Sequence, residues 1–447
     1  MRPAAHVQAA IEVLGDIWSA GQSRGQPADR TVAAYFNRRR YAGSKDRAAV
    51  TDRVYQVLRH RAELQWRLQR AALAPGDTDH GERADQASPR AMCIAALCIL
   101  EALPAAEVEA VFAAGGHGPA PLAEDERRLL ALLEGPAGQV PAWVRGGYPA
   151  WLEGRLAARF GTELETEVAA LAARAPLDLR VNTLKGERPA ALAELRAAGA
   201  IVEPTSWSPV GIRLPEPRPI VQTEAYRRGR IEVQDEGAQI ASLLVDVQPG
   251  MQVIDYCAGA GGKALALAAK MANRGQIHAC DQDQRRLHRA RRRLERAATR
   301  NIQLHQLVGP DDPWRAAHTD GADRVLVDAP CTGGGTCRRN PEVLWNLTEA
   351  GLAGHQAVQN RLLDEAAPLV RQGGRLIYVT CSFFVEENED VVTAFLERRA
   401  DFSAVPIAAV WPYVLQGKCP AVGSFLMLSP ARHGTDGFFV AILERAR

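Results

Sequence analysis

Over roughly the first 72 residues, apolar positions recur at helical spacing. Ile11, Leu14 and Trp18, then Val54, Leu58 and Leu64, are separated by three, four or six residues, as on the buried face of a helix. The polar, Gly/Pro-bearing stretch at 75–89 reads as a loop. The helical pattern resumes at 91–103 and 124–133, and Gly135-Pro136 through Pro141 reads as a linker. Residues 1–140 are therefore expected to form an all-α domain.

The pattern changes beyond Pro149. A helix over 151–174 is followed by a short strand at 179–182, a helix at 189–198, and strand-like runs at 201–202 and 211–214. This makes 145–233 a small α/β module. From 234 to 447 strands and helices alternate, with strands at 252–255, 276–280, 302–306, 324–328, 375–380 and 438–443 and helices at 263–271, 284–298, 349–370 and 386–397. Such alternation predicts an α/β fold with a mainly parallel sheet covered by helices on both faces. Ligands of these sheets bind beyond the carboxyl ends of the strands.

Composition excludes several classes. The 447 residues are 47% apolar and 24% charged, close to an ordinary globular protein, and no apolar run is long enough for a membrane span. Glu12 and Asp16 interrupt the place where a secretory signal needs an apolar core, so a cytoplasmic protein is expected. The eight cysteines form no C-x-x-C pair, which argues against a zinc ribbon and for free thiols. Net charge is only +2, but basic residues cluster at Arg38, Arg39, Arg40 and Lys45 and again from Arg285 to Arg300, where Glu295 is the one acid. Such clusters attract phosphates or simply form a solvated face.

The chemistry concentrates at the strand ends. The strand at 252–255 runs into Asp255-Tyr256-Cys257-Ala258-Gly259-Ala260-Gly261-Gly262-Lys263, and the next strand is followed by Asp281. Glycines there let a ligand approach backbone N–H groups, and the later carboxylate suits ribose hydroxyls. Together they point to a nucleoside-containing cofactor, although the third glycine of the dinucleotide fingerprint is Ala264 here. Two thiols follow later strands, Cys331 in Asp328-Ala329-Pro330-Cys331 and Cys381 in Thr380-Cys381-Ser382. A thiolate, a carboxylate and a nucleoside cofactor suit methyl transfer to carbon 5 of a pyrimidine. Addition of the thiolate at carbon 6 makes carbon 5 nucleophilic, a second thiol serves as base for product release, and Asp328 is placed to steady the ring.

These segments resemble the Sun/Nop-type (RsmB-like) S-adenosyl-L-methionine-dependent RNA cytosine-C5 methyltransferases. The matching stretches are DYCAGAGGK (255–263), CDQD (280–283), DRVLVDAPCTGGG (323–335), GGRLIYVTCS (373–382) with EEN (386–388), and DGFFVA (436–441). Upstream, LRVNTLKG (179–186) and VQDEGAQ (233–239) resemble the family's segment before its catalytic domain. The N-terminal helices with YFNRRRYAGSKDR (35–47) resemble a NusB-like RNA-binding domain. The resemblance implies a Rossmann-like methyltransferase domain at 234–447, preceded by RNA-binding pieces at 1–140 and 145–233. It makes Cys381 the nucleophile and Cys331 the thiol that assists release. Asp328 and Lys263 would serve the target base, while Cys257 through Lys263 (Cys257, Ala258, Gly259, Ala260, Gly261, Gly262, Lys263), Asp281 and Asp328 would hold S-adenosylmethionine. No metal is implied. RNA is the partner, ribosomal RNA first and tRNA as the alternative, with no obligate protein partner.

Two departures stand out. The family's APGGK loop is GAGGK here, with Ala264 where Thr is common, and the acidic residue after the third strand is either Asp311 or Asp312. Three other functions compete with this reading. One is a methyltransferase that uses Cys331 as nucleophile, as DNA enzymes do, which leaves Thr380-Cys381-Ser382 without a role. Another is a non-catalytic RNA-binding assembly factor, against which both thiols and the glycine loop are intact. The third is a nicotinamide dehydrogenase, which leaves the thiol pair unexplained.

Overall fold

The structure, a computed structural model, describes residues 1–24, 27–72, 87–135, 139–216, 218–309 and 311–447. Most of the loop expected at 75–89 and the middle of the linker at 135–141 lie outside the described residues. The chain forms two compact units. The first comprises 1–172 together with 337–347, and the second comprises 173–336 and 348–447.

The first unit is helical throughout. Helices Pro3–Arg24, Ala28–Arg38, Ser44–Arg59, Arg61–Ala72, Pro89–Ile99, Ala105–Phe112 and Glu124–Leu133 enclose a core that includes Leu14, Val54, Leu58, Leu64, Leu97 and Phe112. The apolar spacing read from the sequence is thus a set of inward helix faces. The single helix expected at 151–174 is instead divided into Glu153–Phe160 and Leu164–Ala172. Gly161, at φ +53°, takes a backbone conformation that a continuous helix excludes. Residues 337–347 fold into this unit. The Arg61 guanidinium lies 4.7 Å from the Trp345 ring and 5.3 Å from Trp18, and the Ala28 amide donates to Glu342 at 2.8 Å.

The second unit starts with a four-stranded antiparallel sheet. Its strands are β1 (Leu177–Val181), β2 (Glu203–Pro204), β3 (Gly211–Leu214) and β4 (Ile231–Val233), in the order β2-β3-β1-β4. Helix Arg188–Ala197 packs on it. Two points differ from the sequence reading. The second strand falls at 203–204 rather than 201–202, and β4 is additional.

The larger sheet contains β5 (Gln252–Asp255), β6 (Gln276–Asp281), β7 (Ile302–Gln306), β8 (Ala322–Asp328), β9 (Val370–Thr380), β10 (Phe402–Val405), β11 (Leu426–Leu428) and β12 (Phe438–Arg445). The order is β10-β12-β9-β8-β5-β6-β7, with β11 on β12. Pairs from β9 to β7 are parallel, and every pair made by β12 is antiparallel. Successive residues alternate between two cores, as the pleat requires. Val253, Ile277, Leu326 and Ile377 enter one, while Ile254, Cys280, Val325 and Tyr378 enter the other. Burial on both faces explains why these strands read as nearly continuous apolar runs. The short β10 and β11 escaped the sequence reading. The helix expected from 386 begins at Glu389, because Val385–Glu387 forms a 3-10 turn.

Strand order reverses beside β5, whose neighbours are β6 and β8. That is the switch point at which sheets of this type bind ligands.

Candidate active site

Four strand ends converge on one cavity of about 600 Å³. Asp255 ends β5, Asp281 ends β6, Asp328 ends β8, and Cys381 follows β9. Cys257, Ala258, Gly259, Ala260, Gly262, Lys263, Asp281, Asp328, Cys331 and Cys381 all line it. Gly261 does not. It caps helix Gly262–Lys270 at φ +77°, where a Cβ would meet the Ala290 Cβ at 3.2 Å. A larger cavity of about 1000 Å³ lies in the first unit, lined by small residues with Tyr35, Arg39 and His117. No cysteine lines that cavity, whereas Cys257, Cys331 and Cys381 line the smaller one.

The decisive distance joins the two loops after β8 and β9. Cys331 Sγ and Cys381 Sγ lie 3.4 Å apart. Their hydrogen bond, and burial after it, push the Cys331 thiol well above its ordinary value. Lys263 Nζ forms a 2.7 Å ion pair with Asp328. Burial opposes the lysine charge, but Asp328 outweighs it and the Cys381 side adds to the effect, so the ammonium is held above its usual value. A cation is thereby stationed where a Cys381 thiolate would need one. Cys257 is different: burial among the Asp255, Asp328 and Asp281 carboxylates raises its thiol well above normal, which leaves it unreactive.

A buried carboxylate brackets the two thiol loops. Glu387, fully buried, accepts from the Thr332 amide at 2.9 Å, Thr332 Oγ1 at 2.6 Å, Gln359 Nε2 at 2.9 Å and the Ser382 hydroxyl. Gln359 also donates to the Pro330 carbonyl at 2.9 Å. The residues directly after each cysteine are therefore held by one side chain. Glycines tighten the same region. The Gly437 amide donates to Gly335 O at 2.8 Å and the Gly335 amide to Cys381 O at 2.9 Å. A Cβ on Gly437 would lie 2.2 Å from Phe383 and 2.7 Å from the Gly335 backbone.

The cofactor end is built from backbone and carboxylates. The Gly259 amide donates to Asp281 Oδ2 at 2.8 Å and the Asp283 amide to Oδ1 at 2.7 Å. A carboxylate has further lone pairs for ribose hydroxyls. Asp255 is fully buried, and burial, reinforced by Asp328 and only partly offset by Lys263 and the Ala264 amide, raises its carboxyl to about 8. Neither Asp311 nor Asp312 lines the cavity. Asp312 accepts from the Val308 and Trp314 amides and pairs with His305; the Val308 bond is the largest cause holding its carboxyl down at about 2. Among the described residues no His/Cys/Asp/Glu group is arranged to hold a metal.

The small antiparallel sheet supports the glycine loop from behind. Arg180 on β1 donates to Gly262 O at 2.9 Å and to Gln234 at 2.7 Å, and burial pulls its guanidinium down to about 10. Neither Arg180 nor Gln359 was legible as a site residue. Glu387, six residues beyond Cys381 in the EEN run, carried a usable signal.

A family model described as 16S rRNA methyltransferase RsmB/F matches residues 242–444, and one described as a RsmF/B-like ferredoxin-like domain matches 148–221. Ribosomal RNA small subunit methyltransferase B of Xanthomonas campestris is 34% identical over 303 residues, 67% of each chain. This chain belongs to the RsmB/F family. The RsmB/F relationship extends to solved structures. A methyltransferase homolog from Pyrococcus horikoshii is 30% identical, with a TM-score of 0.58, over 68% of this chain and 97% of its own. The crystal structure of PH0851 matches across 100% of this chain and 99% of its own at 26% identity and a TM-score of 0.75. The protein is thus an RNA methyltransferase of the RsmB/F family, and its methyl donor is S-adenosylmethionine. The cavity fits that donor. It offers a glycine loop with the Asp281 and Asp328 carboxylates within one space, of a size common for such ligands.

Proposed function

We propose that this RsmB/F-family enzyme methylates carbon 5 of a cytosine in RNA through a covalent bond to Cys381. Small-subunit ribosomal RNA is the proposed substrate, by analogy with the named function of the relative from Xanthomonas, and tRNA is the alternative. The observation that carries this reading is the 3.4 Å separation of the two sulfurs in the cavity that also holds Lys263 and Asp328. A non-catalytic RNA binder or a nicotinamide enzyme has no use for such a pair.

The proposed reaction balances as follows. The Cys381 thiolate adds to carbon 6, and the electrons of the carbon 5–carbon 6 double bond move toward carbon 5 and the ring nitrogen. Asp328 accepts from the exocyclic amine while the Lys263 ammonium offsets the negative charge gathering on the ring. When bound, the cofactor would supply one electrophilic methyl group: the carbon 5–methyl bond forms as the sulfonium–methyl bond breaks, and the donor would leave as neutral S-adenosylhomocysteine. Once Cys381 is bound to carbon, the sulfur–sulfur hydrogen bond that raises the Cys331 thiol is removed, and Cys331 releases its proton to solvent water to become the thiolate base. Cys331 then takes the hydrogen from carbon 5. The freed electron pair restores the double bond and expels Cys381 as thiolate.

Access requires the target base to be unpaired or flipped out, since a cytosine stacked in a helix cannot reach these sulfurs. The N-terminal helical segment and the 145–233 module are proposed to hold flanking RNA. The test is incubation with undermethylated small-subunit ribosomal RNA and, separately, tRNA, followed by nuclease digestion and mass spectrometry. A new 5-methylcytidine peak from the ribosomal RNA is expected. Methylation at any other atom, or of tRNA alone, contradicts the proposal.

A further inference from the structure

Helix Gln284–Ala297 carries a pattern of charge that its own stability disfavours. Arg285, Arg289, Arg292 and Arg296 fall within about 60° of one another around the helix axis at 100° per residue, forming one stripe. Like charges at i,i+4 destabilise a helix, and Arg285/Arg289 and Arg292/Arg296 are such pairs. Arg285 and Arg286 also stand at the positive end of the helix dipole, where the one acid at hand is the N-cap Asp283, which accepts from both their amides and lies 3.6 Å from the Arg286 guanidinium. Elsewhere this chain relieves exposed arginines locally, as in Arg128–Glu124, Arg228–Glu224 and Arg361–Glu365. Arg285, Arg289 and Arg292 are exposed and have no carboxylate partner among the described residues.

The two ends of the stripe reach different parts of the second unit. Arg286 and Arg293, on the flank of the stripe, line the cavity that holds the thiol pair. Arg296 lines a shallow, mainly basic cleft with Lys185, Arg227, Arg228 and Arg230, in which Glu295 is the one acid. Arg293 and Arg296 are fixed by the buried carboxylate of Glu232, and Arg296 stacks on Tyr226 at 3.8 Å. From residue 285 to 296 the helix rises about 17 Å.

We infer that this arginine stripe is a track for the phosphodiester backbone of an RNA strand, leading from the thiol cavity to the cleft at Lys185 and Arg227. The inference rests on the proposed RNA substrate and adds to it the path of the strand. A polyanion laid on the stripe offsets the like-charge repulsion that Glu232 at one end and Asp283 at the other relieve only in part. One row of cations on one helix suits one strand.

The test measures binding of a fluorescein-labelled single-stranded oligoribonucleotide over 50–200 mM salt. The full-length protein is compared with a triple variant, Arg285→Gln, Arg289→Gln and Arg292→Gln, and with a charge-matched control, Lys270→Gln, Arg274→Gln and Lys418→Gln. If three phosphate contacts are lost, the slope of log K against log salt becomes shallower by about 2. The affinity advantage of the unaltered protein then shrinks by about 20-fold across that salt range. S-adenosylmethionine affinity should stay within about twofold, which also reports that the triple variant is folded. An unchanged slope in the triple variant, or an equal loss in the control, overturns the track. If the track fails while unaltered protein still methylates RNA, the functional reading stands. If unaltered protein neither binds nor methylates RNA, both fall.

Discussion

At the scale of single residues, the site sets several carboxylates at different tasks by environment alone. Asp281 spends part of its hydrogen-bonding capacity on the glycine loop and Asp328 on Lys263, while Asp255 is shut away from solvent beside both. Asp255 gives a pH signature. Its carboxyl is raised to about 8 by burial and by Asp328, against roughly 3.9 in an unfolded chain. Between those values the folded state retains a proton that the unfolded state has released, so stability falls as pH rises through the window. Asp255→Asn lacks this titration. In cofactor-free thermal melts, the variant's melting temperature relative to the unaltered protein should climb from pH 5 to pH 8.5. Parallel curves would show that Asp255 does not titrate there.

At the scale of elements, the reactive groups sit at strand ends and two neighbouring loops are locked by Glu387. Four donors meet on that one buried carboxylate, and losing such a network costs on the order of 3 kcal/mol. Glu387→Ala should lower stability by that amount in urea unfolding. In single-turnover assays it should slow methyl transfer while leaving S-adenosylmethionine affinity nearly unchanged. A stability loss without a change in rate would mean the bracket does not position the thiols. The strand ends were legible because doubly buried strands read as apolar runs and their last residues carry the chemistry, as with Asp328 and Cys381. The three-residue β4 and β11 and the four-residue β10 are too short to show a period. Gln359 stands at a polar position of a long helix, and only tertiary packing turns it toward Pro330 and Glu387.

At the scale of the whole molecule, the chain's order and its folding units do not coincide. The sequence reading divides it at 140 and 234, whereas contacts place 142–172 and 337–347 with the first unit and begin the second at 173. The antiparallel sheet is structurally tied to the methyltransferase sheet. Arg180 bonds Gly262 O, Asn182 bonds Ala297 O at 2.9 Å, and Glu232 binds Arg293 and Arg296. A fragment spanning 173–447 should therefore retain S-adenosylmethionine binding in a thermal-shift assay. One spanning 234–447 should lose most of it, because buried Arg180 and Glu232 are removed from behind the glycine loop. Equal cofactor binding by both fragments would contradict this coupling. The proposed RNA role of residues 1–172 predicts that their removal weakens RNA binding far more than cofactor binding.

The most direct measurement is a denaturing gel of protein incubated with S-adenosylmethionine and undermethylated ribosomal RNA, comparing Cys331→Ala with Cys381→Ala. A nucleophilic Cys381 with Cys331 assisting release predicts that Cys331→Ala accumulates a protein–RNA adduct resistant to denaturant, and that Cys381→Ala forms none. An adduct on Cys381→Ala and none on Cys331→Ala would contradict that assignment and reverse the roles of the two sulfurs.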